Sequence, residues 1–413
     1  MNAVLYDSMN LITFGEPITV AFRKSAGAIT VTFEAGREYL LSNAQINRLM
    51  EDKNVQQKYY KLSKVEMRVP NFNVRAVKKG ERVLLYNGSG GYGDQIMTWP
   101  VARILAGYGL DVHVLSDPGN NMCWWNFPWV KTVQTVPLLW EQAKLFNHLC
   151  LFEAVINLDE HQDQMHPIDV MLNKIGIDPA TIPDKDKVVR PVFTHSELGA
   201  LQGFLGTGRK IGLYQLSSAN PVRCLPPSDS AFLLSKIAEA TPDIHWLALY
   251  DEFVPKDYSE MLHCKVCNGT GTVGDKESKA PGASKKCSEC DGAKYFAKNV
   301  EPFCAPNLRE LWALTERVNI VVSPDSMMAH IAGSFGTPCV GLWGPVSPEK
   351  RMKYYANHFP IYHKEFCPHF PCFVYSANFP KYCPPRPAKR TTCDVIAAVS
   401  PAEVVEAINK IKR

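Results

Sequence analysis

Residues 321–345, VVSPDSMMAHIAGSFGTPCVGLWGP, decide the fold class. An apolar run (Ile320, Val321, Val322) leads into Ser323, Pro324, Asp325 and Ser326. Met328, Ile331, Ala332 and Phe335 then recur at i, i+3, i+4 and i+7, the spacing of one helix face. Thr337 and Pro338 break the helix, and a second apolar run from Cys339 to Trp343 ends at Gly344 and Pro345. The unit is strand–helix–strand with a polar cap at the helix mouth. Such a mouth presents unpaired backbone N–H groups and the positive end of the helix dipole, which suits a phosphate. Asp325 or Ser326 is placed to cap the helix, and His330 lies about one turn further on, on the side of Ser326. An ordinary capped helix in an α/β core fits the same pattern.

The alternation extends outward. A buried-type strand over residues 83–86 is followed by a glycine-rich turn, GSGGYGD at 88–94, and a helix from Gln95 to about Ala106. Further strands are expected at 111–117 and 154–159. A second set begins with a strand at 210–214, continues with a helix near 228–240 and a strand at 245–250, and ends in an amphipathic helix, Pro401–Ile411. Strands alternating with helices imply a parallel sheet with helices on its faces. Two such sets imply an α/β enzyme of two Rossmann-like lobes facing a cleft, with ligands at the carboxyl ends of the strands. Residues 18–22 and 29–33 alternate as a hairpin, so 1–78 reads as a small β-rich N-terminal module. The expected organisation is 1–78, a first lobe at 79–205, and a second lobe at 206–413 interrupted by an insertion at 258–300.

Composition narrows the class. The chain has 413 residues, 46% of them hydrophobic and 21% charged, with a formal net charge of +4. These values describe a globular protein without a broad polyanion-binding signal. No segment offers the roughly 18 uninterrupted apolar residues that span a bilayer. The first residues lack the basic start and clean apolar core of a signal peptide, so a cytoplasmic location is expected.

The strongest spacing signal is cysteine. Cys264, Cys267, Cys287 and Cys290 form C-x2-C-x19-C-x2-C, each pair followed closely by glycine. Four thiolates so placed make a closed tetrahedral zinc site, and the polar segment between them needs the metal to fold. The expected zinc is structural, and the insertion is a candidate docking surface for a protein or nucleic acid. A second group, Cys367, Cys372, Cys383 and Cys393, has the spacing C-x4-C-x10-C-x9-C, irregular for zinc, and fits either a second metal site or buried thiols.

Gly88, Gly90 and Gly93 also satisfy the dinucleotide fingerprint, with Asp117 at the end of the next strand, but a lone GxGxxG is weak evidence. Asp325-Ser-Met-Met-Ala-His330, then Gly336-Thr-Pro338 and Gly341-Leu-Trp-Gly-Pro345, resemble the donor-site signature of glycosyltransferase family 9, which contains the lipopolysaccharide heptosyltransferases. Gly93-Asp94 with Pro100 resembles that family's first-lobe turn, and Arg223 with Pro226 its basic loop. Met327 stands where the family usually has glycine, and Leu225 where it has tryptophan. The insertion resembles the cysteine-rich repeats of J-protein chaperones, and the N-terminal module resembles small β-rich modules of bacteriophage proteins.

The family resemblance implies a GT-B-like fold and a metal-independent, inverting transfer from a nucleotide-diphosphate sugar, of the ADP-heptose type or another. Asp94 would be the general base and Arg223 would face the diphosphate. Ser217, Ser218, Asp325, Ser326, Met327, His330 and Gly344 would hold the donor. Gly93, Asp159 and His166 would lie on the acceptor side. The implied acceptor is a saccharide or lipopolysaccharide. The zinc insertion and its lysines favour a competing reading, a phage enzyme that glycosylates a modified DNA base. A third reading is a non-catalytic scaffold, against which the retention of Asp94, Arg223, Asp325 and His330 counts.

Overall fold

The computed structural model describes residues 9–24, 27–52, 55, 60–64, 74–88, 91–152, 164–199, 208–218, 220–249, 272–274, 284–286, 297–372, 383 and 392–411. The chain divides into two compact units, Met1–Val192 and Phe193–Arg413.

In the first unit, β1 (Met9–Phe14) is followed by the hairpin β2 (Ile18–Lys24) and β3 (Gly27–Phe33), with Phe22 opposite Ile29. β4 (Glu38–Ser42), α1 (Asn43–Met50) and β5 (Tyr60–Lys64) complete the N-terminal part. β1 lies between β4 and β5, antiparallel to both. Alternation puts Ile12, Phe14, Phe33 and Tyr39 inward, and Phe33 meets Phe14 at 5.2 Å and Tyr39 at 5.0 Å between ring centres.

The parallel sheet of this unit is built from β6 (Arg82–Tyr86), β7 (Asp111–Ser116) and β8 (Val130–Thr135). The short β9 (Leu138–Leu139) and then β10 (His148–Leu151) follow. The sheet order is β10-β6-β7-β8, all parallel. β9 leaves this sheet and pairs with β4, Leu138 opposite Leu40. Between β6 and β7 runs α2 (Tyr92–Gly107), and α3 (Pro167–Lys174) comes later. The strand expected at 154–159 falls outside the described residues. α2 begins three residues earlier than expected, because Gly91 is extended and caps it (φ −83°, ψ 145°) despite the low helix propensity of Gly93.

The second unit holds a six-stranded parallel sheet. Its strands are β11 (Lys210–Gln215), β12 (Ile244–Leu249), β15 (Val300–Phe303), β16 (Ile320–Pro324), β17 (Cys339–Leu342) and β18 (His358–Ile361). Their order is β15-β12-β11-β16-β17-β18. The intervening β13 (Thr272–Gly274) and β14 (Ser284–Lys286) form a separate antiparallel pair inside the cysteine insertion. Helices α4 (Pro227–Ala240), α5 (Leu308–Arg317), α6 (Met327–Phe335) and α7 (Pro401–Ile411) complete the unit. A parallel sheet covered on both faces needs continuous apolar strands, and β16 is buried throughout. Trp246, Trp312 and Trp343 are fully buried in this unit.

Candidate functional site

The carboxyl ends of β11 and β16, neighbours in the second sheet, are tied together by side chains. Ser326 Oγ donates to Gln215 Oε1 (2.5 Å), and Ser323 Oγ donates to the same oxygen (3.0 Å). The two hydroxyls lie 3.0 Å apart. Ser326 is the cap of α6: its backbone is extended (φ −157°) and its Oγ accepts the Met328 N–H at 3.2 Å. Gly336, at φ +74°, closes the other end in the left-handed conformation. The helix is thus fixed at both ends, with its N-terminus at the strand ends where the dipole favours an anion.

Arg223 faces this mouth from the loop after β11. Its Nη1 lies 3.8 Å from Asp325 Oδ2. Asp325 is 4% exposed, and its Oδ2 has no hydrogen-bond partner among the described residues. The guanidinium is 23% exposed. Gly344 packs beneath this loop. A β-carbon there would stand 3.3 Å from the Val222 carbonyl, one residue before Arg223, and 3.4 Å from Cys393 Cβ. Ser218 Oγ bonds to the backbone of Asn220, shaping the turn, while Ser217 is half-buried.

Met327 takes the first helical position of α6. Its side chain turns toward α5, where Trp312 Nε1 donates to its sulfur (2.9 Å). Asn126 and Asn357 are the non-glycine residues with positive φ among those described, so methionine at 327 meets no backbone barrier. His330 is 4% exposed and packs edge-on to Tyr355 at 5.8 Å. Leu225 is buried in the core of the unit.

In the first unit Asp94 sits in the first turn of α2 and is half-buried. Its Oδ2 accepts the Gly91 N–H (3.2 Å), and a β-carbon on Gly91 would lie 2.8 Å from that oxygen. The turn is braced from below. Asn87 Nδ2 donates to the Asp94 carbonyl (3.2 Å) and to Thr98 Oγ1 (2.6 Å). Gln95 Nε2 donates to the Asn87 carbonyl (2.8 Å), and Trp124 Nε1 donates to Gln95 Oε1 (3.0 Å). His166 is 1% exposed and its Nδ1 accepts the Ile168 N–H (3.1 Å), which makes it the cap of α3. Gly93 is half-buried beside Asp94, and Asp159 lies outside the described residues.

Cys264, Cys267, Cys287 and Cys290 also lie outside the described residues. Cys367 and Cys393 are buried, with Cys372 and Cys383 half-buried. Burial, with Cys372 and Cys367 close by, pushes the Cys393 thiol up to about 11. Among the described residues no group of three or more His, Cys, Asp or Glu is set to hold a metal ion, and no helix is long and apolar enough to cross a membrane.

The sequence pattern missed Gln215 and Ser323. Their one signal is a polar residue ending an otherwise apolar strand, beside the Ser217 turn in one case and the Asp325 cap in the other.

The sequence profile of glycosyltransferase family 9 (heptosyltransferase) matches residues 294–383, a stretch that contains β16, α6 and β17. The fold extends the likeness beyond that stretch. E. coli ADP-heptose lipopolysaccharide heptosyltransferase II superposes with a TM-score of 0.52 at 12% identity, over 80% of this chain and 98% of its own.

The fold is similar to that of the heptosyltransferases.

A glycosyltransferase of family 9 from Veillonella parvula gives 0.53 at 12% identity, over 81% of this chain and 98% of its own. The iron-containing dodecameric glycosyltransferase TibC of enterotoxigenic E. coli gives 0.53 at 11% identity, over 98% and 91%. By sequence, the lipopolysaccharide core heptosyltransferase OpsX of Haemophilus influenzae is 46% identical over 48 residues, 12% of this chain. The chain spans only 14% of the length of that curated relative.

Proposed function

We propose that the protein is an inverting glycosyltransferase that moves a sugar from a nucleotide-diphosphate donor, of the ADP-heptose kind, to an acceptor hydroxyl. The observation that carries this reading is the capped mouth of α6, with Arg223 and the Gln215–Ser323–Ser326 set at the carboxyl ends of β11 and β16.

Each group has a task in that reaction. Asp94 accepts the proton of the acceptor hydroxyl as its oxygen bonds to the anomeric carbon. The bond from that carbon to the donor phosphate breaks on the opposite face, so the configuration inverts. Negative charge then grows on the departing diphosphate. Arg223 and the N–H groups of α6 offset it, so the transfer step itself needs no divalent ion. Asp325 orients Arg223, and Gly344 keeps the floor under its loop low. Ser217 and Ser218 donate to phosphate oxygens. His330, on α6 and edge-on to Tyr355, belongs to the donor-holding set. The proposed acceptor is a saccharide, as in the lipopolysaccharide heptosyltransferases named above.

The test is thermal stabilisation by a panel of nucleoside diphosphates and nucleotide-sugars, followed by nucleotide release with a lipopolysaccharide acceptor and, separately, with modified DNA. Saturable stabilisation by one nucleotide-sugar is expected, with release that depends on the saccharide. Release dependent on DNA would move the acceptor to a nucleobase. No stabilisation by any nucleotide would leave the scaffold reading.

Two metal assignments accompany this reading. The β13–β14 pair places Thr272, five residues after Cys267, opposite Lys286, which precedes Cys287. The support for one structural zinc on Cys264, Cys267, Cys287 and Cys290 is their C-x2-C-x19-C-x2-C spacing. Cys287→Ser should remove one zinc per chain; unchanged stoichiometry would end the assignment. TibC is described as iron-containing. Cys367, Cys372 and Cys393 are near neighbours and Cys383 packs on the same core, which makes these four thiols the candidates for such an ion. Iron retained in full by Cys393→Ser would exclude them.

A further inference from the structure

We propose that the N-terminal module is a working part of the acceptor pole, and that Gln45 and Tyr86 position the glycine turn carrying Asp94. The inference rests on the reading of Asp94 as the base.

The observation is a buried polar relay that crosses from the module into the parallel sheet. Gln45, on α1, donates from Nε2 to the Tyr86 hydroxyl at 2.7 Å. That hydroxyl donates in turn to Asp117 Oδ1 at 3.1 Å. Gln45, Tyr86 and Asp117 are 2%, 0% and 4% exposed. A buried relay of this kind is costly unless its members are satisfied, and once satisfied it defines a single arrangement.

Its location gives it a function. Tyr86 is the last residue of β6, and Asp117 directly follows the last residue of β7. Both mark the carboxyl edge of the sheet, where α/β proteins hold their ligands. Tyr86 also sets the start of the glycine turn. A β-carbon on Gly88 would fall 2.5 Å from the Tyr86 hydroxyl oxygen, so the backbone of Gly88 lies directly on that group. Asn87, between them, holds the Asp94 carbonyl. The relay therefore fixes the entry to the turn, and Asn87 fixes its exit.

The module is anchored for this task by two further contacts. Its strand β4 takes β9 as a partner, and Leu40 of β4 shares a core with Leu84, Tyr86, Leu115 and Leu149 of the parallel sheet. Movement of α1 is thereby transmitted to the strand end that begins the catalytic turn.

Tyr86→Phe breaks the relay at its centre with little change of volume, and Gln45→Met removes its first donor. The full chain is assayed for donor KM, kcat, melting temperature and amide hydrogen exchange. Each variant should lower kcat at least tenfold and leave donor KM within twofold. Exchange across residues 91–98 should quicken at least tenfold, and the double variant should lose no more than Tyr86→Phe. Unchanged kcat and exchange would overturn the proposal. So would faster exchange throughout the first unit with melting temperature falling in step, since that is general loosening. If the unaltered protein transfers no sugar, the functional reading fails, and the exchange result alone still decides whether the relay holds the turn.

Discussion

Arg223→Gln separates a structural ion pair from a ligand-binding cation. At 3.8 Å from Asp325 Oδ2, and with an effective dielectric near 20, the pair attracts by about 4 kcal/mol before desolvation is counted. Asp325 is 4% exposed and its Oδ2 has no hydrogen-bond partner among the described residues, so removing Arg223 leaves a buried carboxylate without this cation. Breaking a fully buried pair costs about 3–5 kcal/mol. Here the separation exceeds a hydrogen bond and the guanidinium is 23% exposed, so about 1–2 kcal/mol is expected. For a unit of this size that lowers the melting temperature by roughly 2–8 °C. The diphosphate term is independent of this. A charge-assisted hydrogen bond contributes about 1.5–3 kcal/mol, or roughly 10- to 150-fold in Kd. Arg223→Gln with Asp325→Asn should then recover most of the stability and none of the affinity for a nucleoside diphosphate. Calorimetric titration and thermal unfolding of the single and double variants read both quantities. A single variant that melts early yet binds the diphosphate as tightly as the unaltered protein would refute the role given to Arg223.

Two further outcomes follow from the same unit. Burial holds the His358 imidazole down at about 4 against its ordinary 6.5, and Trp343 Nε1 donates to its Nε2 at 3.1 Å. The unfolded chain therefore binds more protons between these values. The stability is complete above pH 6.5 and is lost as pH falls toward 4, by at most about 3 kcal/mol. His358→Gln, which keeps an acceptor for Trp343, should flatten denaturant stability across that window; an unchanged slope would contradict this. Gly333→Ala would place a β-carbon inside the contact distance of the buried Tyr355 ring, which also packs on His330. Overpacking there should cost about 1–3 kcal/mol and weaken donor binding by shifting α6, both visible in one thermal titration with nucleotide.

The sheets were legible because a parallel strand covered on both faces must be apolar along its length, as at Ile320, Val321 and Val322. The cap of α6 was legible because Ser326 precedes a helical apolar face. Contacts that join distant positions carried no local signal. Gln215 meets Ser323 and Ser326 across more than a hundred residues, and only the adjacency of β11 and β16 brings them together. The start of α2 was hidden by its glycines, whose weak helix propensity is overridden by the Gly91–Asp94 bond. The capping role of His166 was not legible, because a polar residue beside a proline looks the same in a loop and in a cap. Its ring is turned inward to Ile168.

The most direct test of the glycosyltransferase reading compares the unaltered protein with Asp94→Asn. Both are given the stabilising nucleotide-sugar and a saccharide acceptor, and the products are followed by mass spectrometry. The unaltered protein is expected to form the glycosylated acceptor and release the nucleoside diphosphate. Asp94→Asn is expected to bind the donor equally and to transfer at least a thousandfold more slowly. Normal transfer by Asp94→Asn would remove Asp94 from the chemistry, and no transfer by the unaltered protein from any donor would contradict the reading itself.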